Sequence, residues 1–308
     1  MTAVEVAHLV KRYRGAARNA VDDISFEVPA GQLCCLLGPN GAGKTTTVSV
    51  LTTTLAPTAG RVRIAGADLA AQQSLVRRRT GVVFQQPSLD LNLTAEENIR
   101  LHAVLYGVYP WRPAWRLMPA AYRRQVRDLA AVLGVADLLG VRARALSGGL
   151  RRRLEIVRAL LHQPEVLFLD EPTTGLDPES RRALWAYLSQ ARASAGTTIV
   201  LTTHYLAEAE AADAICVIAA GKIIERGTPA ELKARHLRPA MPAAPGEPPA
   251  PGEPPAPGIP GGSSGPASAD PAGNTLEAAY LALLDRARSG APGGTGGARQ
   301  LAGRASTP

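Results

Sequence analysis

Residues Gly38-Pro39-Asn40-Gly41-Ala42-Gly43-Lys44-Thr45 carry the pattern G-x-x-x-x-G-K-[ST], a loop that can cradle a polyphosphate. Its glycines let the backbone curl until successive N–H groups converge on one phosphate, and the positive end of a following helix adds to that field. Lys44 offers a point charge to β- and γ-phosphates, and the Thr45 hydroxyl offers a ligand to Mg²⁺. A second pair, Asp170 and Glu171, closes the apolar run Val166-Leu167-Phe168-Leu169. Asp170 suits a Mg²⁺ held through water, and Glu171 suits a general base that polarises an attacking water. A third group, Ser147-Gly148-Gly149, opens a segment whose Leu150, Leu154, Val157, Leu160 and Leu161 recur at helical spacing. With Ser147 as N-cap, the exposed N–H groups there form an anion site.

These residues need elements to hold them. The apolar runs Leu33 to Leu37, Val166 to Leu169 and Thr198 to Leu201 read as strands buried on both faces, at the centre of a mainly parallel sheet. In open sheets of that kind ligands gather at the C-terminal edge, where Gly38 and Asp170 follow their strands. Segments near 2–13, 21–28 and 61–65 alternate and suit an antiparallel edge layer. From about 89 to 160 the pattern is helical throughout, an inserted helical subdomain. Inside it, Pro110, Trp111, Pro113, Trp115 and Pro119 interrupt the charged pattern. Trp111 and Trp115 suit either a membrane-side contact or a packed local turn. The triplets Arg77-Arg78-Arg79 and Arg151-Arg152-Arg153 read as solvated helix faces.

Strand-like and helical runs alternate up to residue 238, as in an α/β domain. Residues 239–274 are rich in Pro, Gly and Ala, hold two copies of Ala-Pro-Gly-Glu-Pro-Pro, and read as a flexible linker. A short helix is expected over 275–288 with Thr275 as N-cap, and a disordered tail over 289–308.

The 308 residues are 46% hydrophobic, enough for a substantial core, and no apolar run approaches the roughly 20 residues that span a bilayer. The opening Met-Thr-Ala-Val-Glu-Val lacks a basic-then-apolar leader, which predicts a chain that stays in the cytoplasm. Cys34, Cys35 and Cys216 sit inside apolar runs and read as small core residues. The net charge of +8 is scattered, without interleaved aromatics, and so argues for a solvated or membrane-facing basic surface rather than nucleic acid.

In chain order stand Gly38 to Thr45, Val83-Phe84-Gln85, Leu146 to Gly149, Val166 to Glu171, Gly175-Leu176-Asp177 and Thr203-His204. The set resembles the Walker A, Q-loop, signature, Walker B, D-loop and H-loop of the ABC ATPase family, over about residues 4–237. The resemblance implies a P-loop NTPase (RecA-like) α/β core with an antiparallel β subdomain and the inserted helical subdomain. It also implies ATP and Mg²⁺ as cofactors, ATP hydrolysis, and a head-to-tail dimer with a second copy of the chain. In such a dimer Ser147 and Gly149, with Gly148 between them, would bind the γ-phosphate of the partner's ATP, and Asp177 would act across the interface. Gln85 would reach Mg²⁺ or the attacking water, and His204 would hydrogen-bond the γ-phosphate or serve structure alone. Thr46 completes the loop set. Tyr13 aligns with the aromatic that stacks on adenine, or is an edge-strand core residue. Leu150 stands where the family's signature has Gln.

The strings Leu-Ser-Gly-Gly-Leu-Arg-Arg-Arg-Leu-Glu-Ile and Asp-Glu-Pro-Thr-Thr-Gly-Leu-Asp-Pro look like the daunorubicin-resistance and nodulation branch of bacterial exporters. That branch implies a separate integral membrane permease and a peripheral place on the cytoplasmic face of the membrane. A soluble ABC ATPase acting on ribosomes or DNA is the alternative.

Overall fold

A computed structural model describes residues 1–86, 88–236 and 275–289. Two compact units divide the chain, Met1–Pro229 and Ala230 onward.

The first unit is built on two sheets. The four-stranded sheet contains β1 (Thr2–Lys11), β2 (Val21–Pro29), β4 (Ala59–Ile64) and β5 (Ala67–Asp68), ordered β2-β1-β4-β5 with antiparallel pairing. The six-stranded sheet uses β3 (Leu33–Leu37), β6 (Thr80–Val83), β7 (Val166–Asp170), β8 (Thr198–Thr203), β9 (Ala214–Ala219) and β10 (Lys222–Gly227). Its order is β10-β9-β3-β8-β7-β6, parallel except at the β9–β10 pair. Every residue of β3, β7 and β8 is buried, as continuous apolar strands covered on both faces must be.

Helix α1 (Lys44–Leu51) contributes Val48, Val50 and Leu51 to one apolar cluster. The same cluster takes Val4, Val6 and Phe26 from the antiparallel sheet and Leu36, Phe168 and Val200 from the parallel one. All three cysteines are free and buried.

The register of the parallel strands decides where chemistry collects. Leu37 pairs with Thr203, Asp170 with Thr202, and Val83 with Leu169. The strands therefore end level with one another. The residues that follow them, Gly38, His204, Glu171 and Phe84-Gln85, leave the sheet at one edge.

A short helix α2 (Gln73–Arg79) precedes β6. Three longer helices follow it: α3 (Ala95–Leu105), α4 (Ala120–Val132) and α5 (Gly148–Leu160). Helix α3 starts with a capping box, in which Glu97 N–H donates to Thr94 Oγ1 at 3.2 Å and Thr94 N–H donates to Glu97 Oε2 at 2.8 Å.

Between α3 and α4 the helical pattern expected over 89–160 gives way, and only a 3₁₀ turn at Trp115–Leu117 is helical. Pro110, Pro113 and Pro119 remove donors there and restrict the residues before them. Trp115 packs edge-on against Tyr122 at 5.6 Å beneath the Arg127 guanidinium, a local turn. Trp111 stays 63% exposed.

Helix α6 (Pro178–Ala195) begins with Asp177 as N-cap and Pro178 at its first position, and ends on Gly196 at φ 64°. Helix α7 (Leu206–Glu210) follows β8. Helix α8 (Pro229–His236) stands at the unit boundary. In the second unit α9 (Leu276–Ser289) opens with Ala278 N–H donating to Thr275 Oγ1 at 3.3 Å. The linker expected over 239–274 lies outside the described residues, as does the tail expected over 289–308 apart from Ser289. Among the described residues no helix is long and apolar enough to cross a membrane.

Candidate active site

A cavity of about 280 Å³ opens at the shared strand edge, lined by Ala20, Asn40 to Thr46, Gln85, Glu171 and His204. The glycine loop from Gly38 to Gly43 bends sharply between β3 and α1. A Cβ on Gly38 would lie 2.2 Å from the Ile218 carbonyl oxygen. One on Gly43, at φ 106°, would lie 2.4 Å from that of Ala20. No larger residue fits either place. Lys44 is 4% exposed, and its Nζ donates to the Gly38 and Pro39 carbonyls at 2.7 and 3.0 Å. Burial lowers the ammonium's pKa, while the nearby Glu171 and Asp170 carboxylates work the other way.

Glu171 is the hub of the opposite wall. Gln85 Nε2 donates to its Oε2 at 3.2 Å, Thr174 Oγ1 to the same oxygen at 3.3 Å, and His204 Nδ1 lies 3.3 Å from Oε1. Its own N–H donates to Thr202 Oγ1 at 3.0 Å, and its φ is 48°, a left-handed conformation that a residue with a Cβ adopts only when held there. Asp170 is 1% exposed; its Oδ1 accepts from Thr45 Oγ1 at 3.2 Å and from the buried Thr202 hydroxyl. Tyr13 is 44% exposed, so it is no core residue, and its hydroxyl lies 3.3 Å from Thr46 Oγ1 beside the loop.

Ser147, Gly148 and Gly149 are outside this cavity. Ser147 caps α5, accepting from Leu150 N–H at 3.3 Å, and Ser147 and Gly148 are exposed. The Asp177 carboxylate is occupied as well. Its Oδ1 accepts from Ser180 N–H at 2.9 Å, and its Oδ2 accepts from the Ser180 hydroxyl and, at 3.0 Å, from Arg153. The Ser180 hydroxyl, then the Ser180 N–H and Arg153, hold this carboxyl well below the usual range.

Comparison with known proteins decides what this arrangement belongs to. The ABC transporter family model matches residues 21–174. The daunorubicin/doxorubicin resistance ATP-binding protein DrrA of Streptomyces peucetius is 43% identical over 233 residues, covering 75% of this chain and 67% of the relative. The chain belongs to the ABC transporter family. Nod factor export ATP-binding protein I of Ralstonia nicotianae is 41% identical, with 74% of this chain and 68% of the relative covered. Among solved structures, an ATP-binding subunit of an ABC transporter superposes with a TM-score of 0.68 at 31% identity, over 76% of this chain and 92% of that one. As an ABC ATP-binding subunit, the chain binds ATP and hydrolyses it.

The donors around Asp170 fit a hard divalent cation. They are oxygen atoms, and Asp170 Oδ2 is buried with no hydrogen-bond partner. Among the described residues no cluster of three or more His, Cys, Asp or Glu could form an all-protein metal cage.

The arginine triplet in α5 departs from the solvated face expected of it. Arg152 is 5% exposed and spends its donors on backbone carbonyls, and Arg153 holds Asp177 and Ser180. Arg79 likewise bonds the Ala65 carbonyl and pairs with Glu165 at 3.2 Å. Arg152, Glu155, Ile156 and Ala159 follow i, i+3, i+4, i+7 spacing, which marks a buried helix face even where two members are charged. Thr202 and Glu208 also escaped the sequence reading; Glu208 is buried and accepts from the Thr173 hydroxyl beside Walker B.

Proposed function

We propose that the chain is the ATPase of a two-component exporter. Two copies close head to tail on two ATP molecules, and a separate integral membrane permease carries the substrate. The observation that carries this reading is the division of the site. Lys44, Gln85, Glu171 and His204 share one cavity, while the start of α5, with Ser147 and Gly148 exposed, lies outside it. A second copy supplies the missing wall. Relatives named for daunorubicin/doxorubicin resistance and for Nod factor export support the outward direction. The permease would hold the chain at the cytoplasmic face of the membrane, with no nucleic acid involved.

Within the cavity the backbone N–H groups from Gly38 to Thr45 bind the β-phosphate, Lys44 spans the β- and γ-phosphates, and the exposed Tyr13 ring meets the adenine. Thr45 and Asp170, with Gln85 nearby, would hold Mg²⁺, whose charge offsets the negative charge on the phosphoryl oxygens. Glu171 accepts a proton from water as the water oxygen attacks the γ-phosphorus, and the bond to the β–γ bridging oxygen breaks to leave ADP and phosphate. Gln85 and His204, both hydrogen-bonded to Glu171, orient that carboxylate and the water it polarises. Ser147 and Gly149 of the second copy complete the γ-phosphate shell.

Glu171→Gln keeps the size and shape of the side chain but removes the base. Incubated with ATP and Mg²⁺, that variant should elute in gel filtration at twice the mass of the nucleotide-free chain and release no phosphate. Wild-type turnover in the variant would reject Glu171 as base, and a monomer under saturating ATP would reject the dimer.

A further inference from the structure

We propose that Arg152 is a positioning residue for hydrolysis: its guanidinium fixes the backbone that aims Glu171 and Gln85 at each other. The proposal rests on the reading of Glu171 as the base.

Three consecutive carbonyls at the end of β7 converge on this one side chain. Arg152 Nη2 donates to Asp170 O at 2.7 Å and to Glu171 O at 3.0 Å, and Nε donates to Pro172 O at 3.3 Å. Such convergence requires the chain to turn sharply, and it does so at Glu171, through the left-handed φ of 48°. The same guanidinium reaches across to the β6 side, where Nη1 donates to Phe84 O, one residue before Gln85. One planar group therefore holds both backbones whose side chains meet in the 3.2 Å contact between Gln85 and Glu171. The fork geometry matters, because its donors are spread over three nitrogens and reach carbonyls on two strands, a span that the single nitrogen of a lysine does not cover.

Arg152 is in turn held from α5. Glu155 lies 3.6 Å from Nη1, is 1% exposed, and accepts from the Ser88 N–H and, at 3.3 Å, from the Ser88 hydroxyl. Arg158 adds a 3.0 Å bond to the Ser88 carbonyl. Helix α5, capped by Ser147, is thereby pinned to the chain on both sides of Gln85 and to the turn that carries Glu171.

Arg152→Lys in the full-length chain is the test, with basal ATP turnover, ADP affinity by calorimetry and the thermal midpoint as readouts. Lysine keeps the positive charge beside Glu155 but loses the fork. Turnover should fall at least tenfold while ADP affinity stays within twofold and the midpoint barely moves. Arg152→Met combined with Glu155→Gln removes the Arg152–Glu155 pair together, with Arg158 still bonded to the Ser88 carbonyl, and should produce the same split.

Turnover within twofold of wild type in R152K would overturn the proposal. So would turnover and ADP affinity falling together, or loss of the fold in both variants, because Arg152 would then serve the fold alone. E171Q, measured alongside, separates the two ideas. An active E171Q rejects the assignment of the base, whereas an inactive E171Q beside a fully active R152K rejects only the role of Arg152.

Discussion

Lys44 Nζ spends two hydrogen bonds on the carbonyls of its own loop, contacts that a triphosphate exchanges for charged oxygens. Bonds between charged partners are shorter and stronger than those to neutral carbonyls, so the exchange favours binding even though the ammonium is buried. Replacing Lys44 with Ala should weaken ATP binding by about 1.5 to 3 kcal/mol, the range for a hydrogen bond to a charged group. Calorimetry with ATP at fixed Mg²⁺ reads this directly, and undiminished affinity would remove Lys44 from the site. Asp177 differs in kind. Its carboxylate already has partners from Ser180 and Arg153, so it caps α6 and offers no free charge.

Among the elements, the helical subdomain is fastened by an aromatic stack at the C-terminal end of α3. The His102 ring lies 4.1 Å from that of Tyr106 and 5.7 Å from that of His162, and His102 Nε2 and His162 Nδ1 are buried with no hydrogen-bond partner. Burial first, then the Arg158 and His162 charges, lowers the His102 pKa from 6.5 to about 3. His162 is lowered by burial too. Above pH 6.5 His102 is neutral both folded and unfolded, and its packing stabilises the fold in full. Between pH 6.5 and about 3 the unfolded chain takes up a proton that the folded chain resists, so stability falls with pH by at most about 1.4 kcal/mol per unit. His102→Phe keeps the stack and removes the titration. Its melting temperature should fall less steeply than wild type between pH 7 and pH 4.5; equal slopes in calorimetry would show that His102 is not the group responsible.

For the molecule as a whole, the question is where a complete ATP site resides. One chain brings together the glycine loop, Gln85, Glu171 and His204, yet leaves Ser147 to Gly149 outside that cavity. A closed two-fold pair makes each interface patch serve both copies, so a head-to-tail dimer builds two composite sites. In that arrangement K44A would remove one wall of its own site, and Gly149→Asp would remove the other by setting an acidic side chain against the partner's γ-phosphate. Each variant alone should be inactive. Mixed, they can form a heterodimer in which the intact loop of the G149D chain meets the intact signature of the K44A chain, and phosphate release should return. Its absence, with heterodimers present by native mass spectrometry, would mean that each chain hydrolyses ATP within itself.

The sequence alone determined what depends on neighbouring residues. The phosphate loop is contiguous from Gly38 to Thr45, the strands Leu33 to Leu37 and Val166 to Leu169 are apolar throughout, and Ser147 stands at its helix start, so local chemistry was enough to read them. Tertiary structure decided whatever required two distant segments to meet. The level ends of β6, β7, β8 and β3 let Gln85 and His204 both reach Glu171, and that depends on strand register. Arg152 shows the same limit. A triplet of arginines reads as a wet surface until the turn after β7 is packed against it, because burial of a helix face is a property of what covers it.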